Sequence, residues 1–90
     1  MQRYRWRHEA LQVNEIPSQH TPHFIVEERG GRRHRLYQKE YAVACMLDGE
    51  LTCAQVAEKA RAELGLETLD VDVDRFCQQL LALGFVEEID

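Results

Sequence analysis

The stretch His23-Phe24-Ile25-Val26-Glu27-Glu28-Arg29-Gly30-Gly31-Arg32-Arg33-His34-Arg35-Leu36-Tyr37 decides the fold. Its first six residues are β-branched and aromatic in the manner of a strand. Gly30-Gly31 supplies the positive backbone angles that a tight hairpin requires. Arg32 to Tyr37 then returns as the partner strand. Upstream, Leu11, Val13 and Glu15 or Ile16 alternate as a short first strand, closed by Pro17-Ser18. Together the three make a small antiparallel meander.

Downstream the period changes from two to that of a helix. From about Gln38 to Leu47, Tyr41, Ala44 and Cys45 recur at helical spacing, and Asp48-Gly49 ends the run. Thr52 opens a second helix, with Gln55 three residues on as its capping-box partner. Val56, Ala57, Ala60 and Leu64 mark the inner face of that helix, and Gly65 closes it. After a connection at Leu66 to Leu69, Asp70 or Asp72 caps a third helix whose acidic start suits its dipole. Val73, Phe76, Cys77, Leu80 and Leu81 or Leu83 form its buried stripe, and Gly84 takes the left-handed cap position. Phe85-Val86 follows as a terminal strand fragment. The expected architecture is α+β and winged helix-turn-helix-like: a three-stranded antiparallel sheet followed by three helices.

Ninety residues leave room for one such domain, and a chain this size hides only about 60–65% of its unfolded surface. At 44% hydrophobic and 30% charged the composition is that of a globular protein. No apolar run approaches the roughly 18 residues of a membrane span, so direct membrane insertion is not expected. The net charge of −5 is divided unevenly: residues 1–45 carry +3 and residues 46–90 carry −8. Such a bipolar chain is a poor general binder of nucleic acid.

Cys45, Cys53 and Cys77 are odd in number and irregular in spacing, which fits a reducing, cytoplasmic setting better than a disulfide framework. None forms a Cys-x-x-Cys pair. His20 and His23 lie in a proline-containing loop without a third ligand nearby, and Asp70, Asp72 and Asp74 are helix-capping residues rather than a calcium loop. No phosphate loop, nucleophile elbow or zinc-protease motif occurs. No enzyme activity, metal or cofactor is therefore expected. Arg3-Tyr4-Arg5-Trp6-Arg7 places Tyr4 and Trp6 on one face if extended. Residues 1–10 are expected as a basic, aromatic arm, frayed or packed through its aromatics on a domain at 11–90, rather than as a stacking grip for single-stranded nucleic acid.

The ordered set of hairpin, Leu47-Asp48-Gly49, capped helix at Thr52, and helix ending in Leu83-Gly84-Phe85-Val86-Glu87 resembles the PqqD-like family. These domains are also called RiPP recognition elements, after ribosomally made, modified peptides. The resemblance spans roughly residues 11–88. It implies a non-catalytic module that binds the leader segment of a precursor peptide and presents it to a modifying enzyme in natural-product biosynthesis. The leader would add as an extra strand to the sheet edge at Arg33, His34, Arg35, Leu36 and Tyr37. Val73, Phe76, Cys77 and Leu80 of the third helix would form the facing wall. Main-chain hydrogen bonds would then give affinity and side-chain pockets selectivity.

The basic, aromatic opening also looks like PqqD-like domains at the N-termini of larger bacterial proteins. That implies an alternative, a docking or regulatory domain of a membrane metallopeptidase or secretion protein. Arg32, Arg33 and Arg35 suit the steering of an acidic peptide, and equally suit protection of an exposed edge against aggregation. Phe76 and Leu80 are core residues by their spacing, and a groove role requires that they be only partly covered. A winged-helix DNA binder is disfavoured because the third helix carries Asp70, Asp72 and Asp74 against Arg75 alone. An exposed edge can also pair with itself, giving a homodimer through the binding strand.

Overall fold

The computed structural model describes residues 2–89. Strands β2 (Leu11–Ile16), β3 (His23–Glu28) and β4 (Arg33–Tyr37) form the expected meander, in the order β2-β3-β4. Both ladders are antiparallel and regular, running Leu11↔Glu28 to Ile16↔His23 and His23↔Tyr37 to Glu27↔Arg33. The Gly31 N–H donates to the Glu28 carbonyl at 2.9 Å, closing the hairpin. Of the two glycines only Gly30 has a positive φ, +70°, at the third position of that turn, where a type II turn demands it. Leu11, Val13, Val26 and Leu36 face inward and pack into the core. Phe24, on the same face, stacks on Tyr41 with ring centroids 4.1 Å apart.

A second three-stranded sheet was not expected. It runs β5-β1-β6, from β1 (Arg3–Trp6), β5 (Asp48–Thr52) and β6 (Val86–Ile89). The segment expected as an arm thus contributes the central strand of a sheet, and the domain begins near the start of the chain. The physical reason is the alternation itself. Tyr4 and Trp6 are 1% and 6% exposed, while Arg5 points away from them and pairs with Glu87 and Glu9, each at 2.6 Å. The Glu9 carboxyl, held by the Arg5 guanidinium, falls from 4.5 to about 2. The Tyr4 hydroxyl donates to Gln2 Oε1 and accepts from Gln78 Nε2. Burial, with the charges of Asp74 and Glu88, pushes that phenol up to about 12. The turn at Asp48-Gly49 does form, since Asp48 Oδ1 accepts from the Glu50 and Leu51 N–H groups. Asp48 and Gly49 are themselves the first residues of β5, so the segment is strand rather than loop.

Three helices complete the fold: α1 (Gln38–Cys45), α2 (Cys53–Leu64) and α3 (Asp70–Leu83). Thr52 and Gln55 form a full capping box, with bonds of 3.2 and 2.8 Å. At α3 the capping bond comes from Asp72, whose Oδ2 accepts from the Leu69 N–H at 3.0 Å. Val73, Cys77 and Leu80 of α3 share one buried cluster with Val56, Ala57 and Ala60 of α2. Two arginines cap the C-terminal end of α3 from different sheets. Arg7, after β1, donates to the Gly84 carbonyl at 2.8 Å, and Arg32, before β4, donates to the Ala82 carbonyl. At Gly84, φ is +80° and a Cβ would lie 2.9 Å from Glu28 Oε2, so the sheet meets the helix end where a side chain has no room. No helix is long and apolar enough to cross a membrane among the described residues.

Because Trp6 lies in the central strand, Trp6→Ala should cost about 3–5 kcal/mol in chemical denaturation. A fraying arm would leave the denaturation midpoint unchanged.

Candidate functional site

Strand β4 is an edge of its sheet, and its free side can be assigned group by group. The Glu28 N–H donates to the Arg32 carbonyl at 2.9 Å, and the Glu28 carbonyl accepts from Gly31, so Glu28 turns its main chain towards β4. Antiparallel ladders alternate. With Val26 opposite His34 and Phe24 opposite Leu36, those two β4 residues bond to β3. Arg33 and Arg35 therefore turn their N–H and C=O groups outward. Tyr37 has the same parity, but its N–H donates to Glu40 Oε1 at 2.8 Å where α1 begins, and there the edge ends. Among the described residues no strand pairs with β4 on this side.

The two ends of this edge lie towards opposite ends of α3. At its start, Arg32 holds the Ala82 carbonyl and the His34 ring lies 6.4 Å from that of Phe85. At its end, α1 and α3 enclose a mostly apolar groove of about 140 Å³ between Lys39, Glu40 and Val43 on one side and Val73 and Phe76 on the other. Leu66 and Thr68 close its far end. By helical spacing, the row of α3 that includes Asp72 and Phe76 continues through Gln79 and Leu83. An extended segment laid along β4 would find main-chain partners at Arg33 and Arg35 and, beyond Tyr37, the groove at Phe76.

The residues singled out from the sequence divide between surface and core. Arg33, His34, Arg35 and Tyr37 are exposed, and the Arg35 guanidinium sits 5.8 Å from the centre of the Tyr37 ring. Leu36 is buried under the sheet. On α3 the implied wall splits: Phe76 is half-buried and Val73 shows only an edge to the groove, whereas Cys77 and Leu80 are enclosed. Residues 73, 77 and 80 lie on the helix face that packs into the core, and 72 and 76 on the flank. Cys77 and Leu80 can support the groove only from behind. Burial pushes the Cys77 and Cys53 thiols up, which makes them inert packing groups.

Sequence reasoning missed the groove's other side, Lys39, Glu40, Val43, Leu66 and Thr68. No local signal marked them, since Lys39, Glu40 and Val43 of α1 and Leu66 and Thr68 of the connection before α3 become neighbours only once α1 and α3 have packed. Among the described residues, no group of three or more His, Cys, Asp or Glu could hold a metal ion. The His23 Nδ1 lies 2.8 Å from the Thr21 carbonyl, a local loop contact.

No known family's sequence profile matches the chain, and no curated protein matches it either. Among solved structures, the fold is similar to part of the heterocyclase TruD, with a TM-score of 0.62 and 19% identity. The match covers 99% of this chain and 12% of that one, and at this identity it is a likeness of fold.

In hydrogen-exchange NMR of the free protein, the Arg33 and Arg35 amides should exchange rapidly, and those of His34 and Leu36 should be protected. The reverse order would mean that β4 turns its other set of groups outward.

Proposed function

We propose that this chain is a non-catalytic peptide-binding module of the recognition-element kind. It captures the leader segment of a precursor peptide as an added strand on β4 and presents it to a modifying enzyme in cytoplasmic natural-product biosynthesis. The observation that carries this reading is the open Arg33–Arg35 edge, with an apolar groove beyond its end at Tyr37. A domain of this fold forms 12% of a heterocyclase chain, which supports placing this one with an enzyme that it serves. The PqqD-like resemblance supplies the peptide.

Strand geometry specifies the pattern of the ligand. Residues of the added strand opposite Arg33 and Arg35 lie on the outer face with those side chains, and carboxylates at alternate positions would meet the two guanidiniums. The intervening side chains turn inward to Phe76 and the groove, where apolar groups fit. The expected ligand alternates acidic and apolar residues. Main-chain bonds provide much of the affinity, and the arginines add on-rate and selection.

Isothermal titration with the leader of a short peptide encoded beside this chain tests the proposal. Binding should be saturable and should weaken with salt. Arg33→Glu together with Arg35→Glu should weaken it about tenfold, since exposed ion pairs contribute up to about 1 kcal/mol each. A peptide with its acidic residues replaced by lysine should bind about tenfold more weakly or worse. Equal affinity for both peptides would remove the arginines from the mechanism, and no heat with any leader would reject the function.

A further inference from the structure

The meander has a second open edge, and its chemistry differs from that of β4. In β3, Glu27, Ile25 and His23 turn their main chain away from β4 and towards Gln12, Asn14 and Ile16 of β2. Leu11, Val13 and Glu15 therefore turn theirs outward. The Leu11 N–H is already held by the His8 carbonyl. The Leu11 carbonyl and both groups of Val13 and Glu15 remain, and no strand pairs with them among the described residues. Edges exposed in this way are usually guarded by charge, above all by lysine. Strand β4 carries Arg33 and Arg35, whereas β2 has no cation and one charged residue, Glu15.

We infer that β2 is a self-pairing edge: two copies of this chain join β2 to β2 about a two-fold axis, forming one six-stranded antiparallel sheet. The two-fold register that uses all three outward residues is centred on Val13. Val13 then exchanges both main-chain bonds with its own copy. Each Glu15 N–H reaches the Leu11 carbonyl of the other copy, giving four bonds across the axis. Gln12 falls opposite Asn14, placing two amide side chains in hydrogen-bonding reach on the outer face, and Glu15 falls opposite Leu11. No like charges meet. The corresponding pairing of β4 fails this test: centred on Arg35 it sets Arg35 against Arg35, and centred on His34 it sets Arg33 against Arg35. Joining through β2 leaves both β4 edges at the far ends of the sheet, open to ligand. The contact is small and the dimer reversible, and the inference stands apart from the peptide-binding reading.

Sedimentation of the 90-residue chain over a concentration series into the millimolar range tests it. The wild type should pass from 10.5 kDa to twice that mass as concentration rises. Gln12→Lys with Asn14→Lys, both exposed positions, places lysine opposite lysine and should raise the dimer dissociation constant about tenfold or more. Gln12→Lys with Asn14→Glu places opposite charges in the same two sites and should restore wild-type dimerisation or exceed it. Matched circular dichroism melts show that all three proteins are folded. A mass of one chain at every concentration would overturn the inference. So would a dimer insensitive to both pairs of changes, or one that dissociates with Arg35→Glu instead.

Discussion

Two separate sheets are held in one small domain by a run of rings. Phe24 of β3 stacks on Tyr41 of α1, and Tyr41 meets the edge of Trp6 in β1 at 6.2 Å. Trp6 in turn meets Phe85 at 6.1 Å, and Phe85 lies against His34 of β4. The path leaves the meander at its middle strand and returns to it at its edge. Edge-to-face and stacked contacts of this kind add about 0.5–1.5 kcal/mol each beyond the apolar area they bury. Trp6 is the member that cannot be bypassed, because its ring meets both Tyr41 and Phe85 and its main-chain N–H donates to the Leu47 carbonyl at 2.8 Å. Through Phe85 it fixes where α3 ends. With Arg7 and Arg32 capping that end, it thereby fixes the distance between α3 and the open edge of β4.

The division of charge noted along the sequence acquires a direction in three dimensions. Arg32, Arg33 and Arg35 gather at the start of the β4 edge, while Asp70, Asp72 and Asp74 occupy the first turns of α3, at the groove end. Arg3 and Arg5, which inflate the basic balance of the first half, belong to the other sheet, and Arg5 is neutralised there by Glu9 and Glu87. Within the meander, the two open edges are therefore chemically distinct. One is cationic and lies against a helix, the other is nearly uncharged and faces away. Self-association and ligand capture are separated by this difference.

The meander, all three helices and the N-terminal caps of α2 and α3 were legible in the sequence because each rests on a local signal. Gly30 in its turn, Thr52 with Gln55, and the Val73, Cys77, Leu80 spacing are examples. The second sheet was not legible, for a physical reason. Its strands come from residues 3–6, 48–52 and 86–89, and β1 pairs with partners more than forty residues away. The alternation of Tyr4 and Trp6 was visible, but alternation shows only which side chains share a face, not what covers that face. The exposed part of the proposed site was legible in Arg33, Arg35 and Tyr37. The groove was not, since Lys39, Val43 and Leu66 become neighbours of Phe76 only once α1 and α3 have packed.

The central claim is that an extended peptide joins the sheet at Arg33 and Arg35. Intermolecular NOEs between a labelled acidic, apolar-alternating leader and this protein test it most directly. The account predicts antiparallel or parallel cross-strand NOEs from the peptide backbone to the main chain of residues 33–36, with peptide side-chain NOEs to Phe76. A bound peptide whose NOEs fall on β2 or on the outer face of the sheet, with none to residues 33–36, would contradict it.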